Sequence, residues 1–222
     1  MRVDLTRSYE EMETGIGEFV ASLTKHAPDF AIQLQAGQID RLAGYYELLM
    51  KWNERLHLVA PCSPAEFAVR HVLESLMLLR HLPIAATITD VGSGGGLPII
   101  PCLLLREDLQ ASLIESSKRK AVFLQEALRA VQPGGRAQVL AASFQETPSP
   151  PVGFISCRAL DRFKTLIPAL MSWAGPHATF LFFCGDELRA QLESLWSRPQ
   201  TERVPQSQGR FLVIGGSNGS RT

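Results

Sequence analysis

The sequence predicts an α/β protein with a mostly parallel seven-stranded sheet, a terminal antiparallel hairpin and an N-terminal helical extension. Three observations carry that prediction. Beyond Pro83, short apolar runs alternate with amphipathic stretches, the pattern of strands and crossover helices in a sheet covered on both faces. Ile88 to Pro101 joins an apolar run to a helical stretch through a loop almost without side chains, Gly92-Ser93-Gly94-Gly95-Gly96. Thr201 to Val204 and Arg210 to Ile214 flank the turn-forming segment Pro205 to Gly209 and read as a hairpin.

Helices are expected over 9–24, 38–59 and 64–82. In the second, Tyr45, Leu48, Leu49, Trp52 and Leu56 recur three and four residues apart and form one apolar stripe, with Asn53 and His57 beside it. Ser63 is placed to cap the third, which carries Phe67, Val72, Leu73, Leu76 and Leu79, and Arg70 can pair with Glu74 one turn on. Strands follow near 86–91, 110–115, 137–142, 152–157 and 178–184, with helices near 97–106, 118–131, 162–174 and 186–196. The expected division is an extension over 1–83, a ligand-binding domain over 84–216 and a flexible tail over 217–222.

The 22 Lys and Arg balance 22 Asp and Glu, so composition makes no electrostatic case for nucleic acid, and any basic face must be local. The first 83 residues hold 8 Lys/Arg against 11 Asp/Glu and form no basic arm. Cysteines at 62, 102, 157 and 184 include no C-x-x-C pair, so neither zinc nor a disulfide framework is suggested, and reduced thiols fit a cytosol. No apolar run has signal-peptide or bilayer-spanning length. A cytoplasmic monomer using neither metal nor membrane is expected.

Doubly wound sheets bind ligands at the carboxyl ends of their strands, near the switch in strand order. Glycines at 92, 94 and 96 permit positive φ and close approach, which serve a dinucleotide, a nucleoside cofactor or a tight turn alike. A dinucleotide fingerprint runs G-x-G-x-x-G. Here Leu97 stands where its third glycine would fall, and the spacing led by Asp90 resembles motif I of the S-adenosylmethionine (SAM) methyltransferases. Glu115 ends the second strand 25 residues past Asp90, where a carboxylate either accepts from both ribose hydroxyls of a nucleoside or caps the next helix as an exposed acid. Phe144 and Gln145 offer an adenine an apolar wall and an amide, or form an ordinary loop. Arg158 follows an apolar run and needs a partner: a loop carbonyl, a cofactor carboxylate, a substrate phosphate or base, or Asp161. Lys118, Arg119 and Lys120 oppose the macrodipole of the helix they open, and are either a solvated turn or RNA phosphate contacts. Cys102 and Cys157 read as packing residues rather than nucleophiles.

Five segments together resemble the RsmG (GidB) family, from about residue 40 to the terminal hairpin. They are Lys51-Trp52-Asn53, Arg70-His71-Val72-Leu73-Glu74-Ser75-Leu76, Asp90-Val91-Gly92-Ser93-Gly94-Gly95-Gly96-Leu97-Pro98, Ser117-Lys118-Arg119-Lys120 with Phe123-Leu124, and Cys157-Arg158-Ala159-Leu160. The resemblance implies a Rossmann-like SAM-dependent methyltransferase fold behind a helical extension. It also implies methylation of guanine N7 in 16S ribosomal RNA, with SAM as cofactor and the RNA or the small ribosomal subunit as partner. Cofactor contacts are implied at Gly92, Gly94, Gly96, Leu97, Phe144, Gln145 and Arg158, with Glu115 as the ribose ligand. Lys118, Arg119, Lys120, Arg162 and Lys164 then rim the RNA side, and Phe163 is either part of the receiving surface or packed in the helix core. The chain departs from the family pattern at His57 and Val59, where Asn and Thr are usual, at Ile99 for glycine, and at Cys184 for the lysine before Gly185.

Guanine N7 carries a free lone pair, so its methylation calls for alignment and no general base, which suits a cleft without an obvious one. Positive charge moves from sulfur onto the ring as the methyl arrives, which a guanidinium would oppose, so Arg158 is assigned to positioning. The rival readings are a small-molecule methyltransferase on the same scaffold, a SAM-binding protein without catalysis, and a nicotinamide-dependent oxidoreductase, against which the glycine spacing speaks.

Overall fold

The computed structural model describes residues 5–131, 135–149, 153–158 and 163–216. The extension comprises α1 (Leu5–His26), α2 (Ala36–Leu56) and a helical run, α3, over 64–81. His57 ends α2 in the left-handed region, at φ 48°, and the Asn53 side chain accepts from the Val59 N–H at 2.9 Å, so the polar edge of the apolar stripe turns the chain. Ser63 caps α3 by accepting from the Glu66 N–H at 3.1 Å. Beyond that first turn α3 is not the regular helix expected over 64–82. It widens to a π turn over Ala68–Leu73 and tightens to 3₁₀ over Met77–His81. A partner remote in sequence accompanies the change, because the carbonyls of Arg70 and His71 accept from the Arg158 guanidinium on the sheet.

Seven strands form one sheet in the order β3-β2-β1-β4-β5-β7-β6. They are β1 (Thr87–Val91), β2 (Gln110–Ile114), β3 (Ala137–Leu140), β4 (Phe154–Arg158), β5 (Thr179–Gly185), β6 (Gln200–Arg203) and β7 (Arg210–Gly216). The first five run parallel, and β7 pairs antiparallel with both β5 and β6. Crossover helices α4 (Ile99–Leu105), α5 (Lys118–Val131), α6 (Phe163–Ala174) and α7 (Asp186–Leu195) lie where the alternation places them. Several expected bounds shift: α1 runs from Leu5 to His26 rather than over 9–24, α2 ends at Leu56 rather than 59, β3 ends at Leu140 rather than 142, and Arg158 is the last residue of β4 rather than the first beyond it. Asp161, Arg162 and the tail 217–222 lie outside the described residues.

β1 sits inside the sheet, so Ile88 to Val91 are buried on both faces, as parallel strands are. One apolar cluster runs from Phe19, Tyr45 and Leu49 in the extension through Leu73 and Leu76 to Ile88, Leu103 and Leu124. A second, on the other face, holds Val91, Phe144, Ile155 and Trp196. β5 alternates between them, giving Leu181 and Phe183 to the first and Phe180 and Phe182 to the second. Strand order reverses between β1 and β4, and the carboxyl ends of those two strands therefore flank the crevice in which such sheets bind ligands.

Candidate cofactor and substrate site

A cavity of about 720 Å³ opens at that switch point. The glycine loop after β1 forms its floor, Glu115, Phe144 and Gln145 at the ends of β2 and β3 form one wall, and Arg158 stands at the end of β4. Leu58, Val59, Ala60 and His71 close it from the extension.

The loop needs its glycines for two different reasons. Gly92, Gly94 and Gly96 take φ of 74°, 54° and 82°, the left-handed region that a Cβ disfavours. Gly94 faces open space, since the nearest atom to a Cβ built there is the Gly92 carbonyl oxygen at 3.8 Å. Gly96 faces inward: a Cβ would stand 2.3 Å from Ile100 Cδ1 and 3.3 Å from Leu124. Gly96 thus seats α4 against α5 and does not line the cavity, whereas Gly92, Gly94, Gly95 and Leu97 do.

Glu115 is buried, not an exposed helix cap. One carboxylate oxygen accepts from the Gly94 N–H at 2.8 Å and the other from the Ser117 N–H at 2.8 Å, which turns the group toward the loop. A carboxylate offers about four lone-pair sites, so acceptors remain for a ligand. Phe144 lies in a 3₁₀ turn held by a reciprocal Ser143 and Glu146 cap, with its ring edge-on to Trp173 at 5.5 Å. Gln145 beside it is exposed at the rim.

Arg158 faces Glu74 at 3.5 Å, and the alternative partner Asp161 lies outside the described residues. The guanidinium also donates to the carbonyls of Arg70 and His71 and to Ser75 Oγ, and it lies over the Phe183 ring at 5.8 Å. Glu74 is shared with Arg210 at 2.7 Å. The Arg70–Glu74 pair expected from the helical spacing does not form, because Glu74 is drawn into the interior and Arg70 turns back to Glu66. Burial raises the Glu74 carboxyl and lowers the Arg158 guanidinium, against the mutual attraction of the two.

Behind the loop, Asp90 is buried with one oxygen accepting from the Ser156 hydroxyl at 2.7 Å, and burial pushes its carboxyl up to about 7. Burial, and then the charges of Arg158, Arg70 and Arg210, hold the His71 imidazole down to about 3, so the ring is neutral. Cys102 and Cys157 are buried, and burial raises the Cys102 thiol and pushes Cys184 up to about 12, so Cys102 and Cys184 are poor thiolates.

Of the expected RNA contacts, Lys120 lines the cavity, Lys118 is exposed beside it, and Arg119 points away toward α2, donating to the Arg55 carbonyl at 3.4 Å. Arg162 and the side chain of Lys164 lie outside the described residues. The walls supplied by Leu58 to Ala60 were invisible in sequence, and Tyr45, whose hydroxyl donates to the Gly95 carbonyl at 2.5 Å, was legible as a member of the apolar stripe alone.

A SAM-dependent methyltransferase from Aquifex aeolicus superposes with a TM-score of 0.54 at 16% identity, covering 75% of this chain and 97% of its own. The fold is therefore that of the Rossmann-like SAM-dependent methyltransferases. The GidB family, described as rRNA small subunit methyltransferase G, matches residues 38–216. The ribosomal RNA small subunit methyltransferase G of Xanthomonas euvesicatoria is 35% identical over 205 residues, 85% of this chain and 95% of its own. That of Halorhodospira halophila is 32% identical over 174 residues, 78% and 82% of the two chains. The chain belongs to the rRNA small subunit methyltransferase G family. Among the described residues no helix is long and apolar enough to cross a membrane, and no group of His, Cys, Asp and Glu is placed to hold a metal ion.

Proposed function

We propose that the chain methylates N7 of a guanine in 16S ribosomal RNA with SAM as donor, acting in the cytoplasm on the RNA or the small subunit. The observation that carries this reading is the buried Glu115 carboxylate bonded to the Gly94 N–H beside a cavity of about 720 Å³. The cavity fits the cofactor: bare peptide at Gly92 to Gly95 admits close approach, and Glu115 keeps acceptor capacity for both ribose hydroxyls. Phe144 and Gln145 suit an adenine ring and its exocyclic amine, and Arg158, which lines the same cavity at the end of β4, would face a cofactor carboxylate or the target base.

When bound, SAM supplies an electrophilic methyl group that the free lone pair of guanine N7 takes in line. What the chain must contribute is alignment, which supplies up to roughly 7 to 11 kcal/mol in favourable cases. Its own titratable groups agree with that division of labour. His71, held to about 3, is a weak base, Asp90 is sealed behind the loop, and the Cys102 thiol is buried with its pKa raised. Positive charge moves onto the base during transfer, which the Arg158 guanidinium opposes, so Arg158 acts as a positioning residue. In this reading residues 1–83 are the extension that walls the site and 84–216 the catalytic body.

The test combines calorimetry with a transfer assay on small-subunit RNA lacking the modification. Binding of SAM without NADH binding, and label arriving at guanine N7, is the expected result. Label on small molecules but not RNA favours a small-molecule enzyme, and SAM binding without transfer to either favours a protein that has lost catalysis.

A further inference from the structure

A second cavity, of about 690 Å³, lies outside the site just described, in a groove between α2 and α5. Its floor is apolar: Leu48, Leu56 and the half-buried Trp52, whose ring tilts against Phe123 at 5.9 Å, with Val122 left 53% exposed. Its rim is charged, with Lys51, Arg55 and Arg119 facing Glu54 and Glu126. Lys118 and Lys120 flank Arg119 in the same helical turn, and Lys120 lines the cofactor cavity. Consecutive residues at the start of α5, Arg119 and Lys120, thus line one cavity each.

We infer that this groove holds a single-stranded segment of the RNA substrate next to the target base, an inference that rests on the reading of RNA as substrate. In a chain of net charge zero, three cations line this groove against two acids, and Lys118 and Lys120 adjoin Arg119 at the start of α5. Lys51, Arg55, Lys118, Arg119 and Lys120 have no carboxylate within ion-pair distance among the described residues. Glu126 points instead toward Arg129, at 3.8 Å. Three of the five open α5, where positive charge opposes the macrodipole, so helix stability does not account for them. An aromatic and aliphatic floor under a cationic rim is the arrangement that takes stacked bases and their phosphates without reading sequence. The target guanine must be splayed out of its stack to reach the cofactor, and a groove that meets the cavity's lining at the neighbouring residues Arg119 and Lys120 would hold the strand on one side of it.

The experiment compares the full-length chain with Lys51→Glu/Arg55→Glu, measuring SAM affinity, KM for undermethylated small subunits, and affinity for the corresponding RNA across a salt series. Expected are SAM affinity within about twofold of the unaltered protein and an RNA KM raised about tenfold or more, with the salt slope lowered by roughly 1.4, the loss of two single-strand contacts. Lys51→Arg/Arg55→Lys, which keeps the charge, restores KM. If the reversal fails to fold, Lys51→Gln/Arg55→Gln carries the same expectations. An unchanged KM and salt slope in a folded variant overturns the groove assignment while leaving the methyl-transfer reading intact. An unaltered protein that binds SAM but neither binds nor methylates the RNA overturns both.

Discussion

The Tyr45 hydroxyl donates to the Gly95 carbonyl at 2.5 Å, tying the extension to the loop that floors the cofactor cavity. Tyr45 is fully buried, and burial raises its phenol, so the group stays protonated as a donor. Leu49 and Leu58 press on the same glycine, with Leu49 3.3 Å from where a Cβ would stand. Tyr45→Phe leaves a buried carbonyl without its partner, at a cost of about 1 to 3 kcal/mol. The expected outcome is a SAM Kd raised about tenfold by calorimetry. Phe19→Leu, in the same apolar cluster but not among the side chains pressing on Gly95, lowers the melting temperature without changing SAM affinity. Equal SAM affinity in Tyr45→Phe and the unaltered chain contradicts the clamp.

The two faces of the glycine loop separate binding from folding. Gly94→Ala and Gly96→Ala each force a side chain into the left-handed region, at about 1 to 2 kcal/mol. Gly96→Ala adds a Cβ 2.3 Å from Ile100, whereas a Cβ at Gly94 enters open cavity. Thermal melts and SAM titrations should show Gly96→Ala losing more stability and Gly94→Ala losing mainly SAM affinity. The opposite order contradicts the assignment of the two glycines.

Arg158→Ala removes a cation that Glu74 and three oxygen acceptors of α3 share. Breaking a buried pair typically costs about 3 to 5 kcal/mol, here moderated because Arg210 still faces Glu74. Turnover per folded molecule is expected to fall at least about a hundredfold, since misplacement of a bound group by about 1 Å has that effect. Unchanged turnover in the folded fraction would make Arg158 a strut between β4 and α3 and nothing more.

Asp90 and His71 give stability opposite dependences on pH. The folded chain keeps a proton on Asp90 up to about 7, against 3.8 ordinarily, so its burial cost is absent below pH 3.8 and full above pH 7. His71 titrates near 3 when folded against 6.5 ordinarily, so its contribution is full above pH 6.5 and lost as pH falls toward 3. Relative to the unaltered protein, Asp90→Asn should gain melting temperature from pH 5 to pH 8, and His71→Gln should gain it from pH 7 to pH 5. Parallel melting curves across that range contradict the burial of both groups.

Alternation with the strands placed the helix Lys118–Val131 correctly at its start, where the structure adds Ser117 as an acceptor for the Lys120 N–H. The strands were legible to within about two residues because short runs dominated by apolar residues alternate with helical stretches, most plainly in β5, whose Phe180 to Cys184 are buried. What sequence could not give was competition between remote partners. Arg70 has a carboxylate one turn away on each side, at Glu66 and Glu74, and the spacing does not say which is claimed from the sheet by Arg158 and Arg210. The irregular winding of α3 is illegible for the same reason. In the site, glycine spacing and strand ends pointed to the loop and Glu115, while the Tyr45 hydroxyl was hidden because a stripe of apolar spacing says where a ring packs and not what its oxygen reaches.

The central claim is transfer of a methyl group to guanine N7 in small-subunit RNA, and mass mapping of that RNA from cells with and without this gene tests it most directly. The account predicts one N7-methylguanine present with the gene, absent without it, and restored by the unaltered chain but not by Gly92→Val, which fills the loop. The same N7-methylguanine pattern in both RNAs would contradict it.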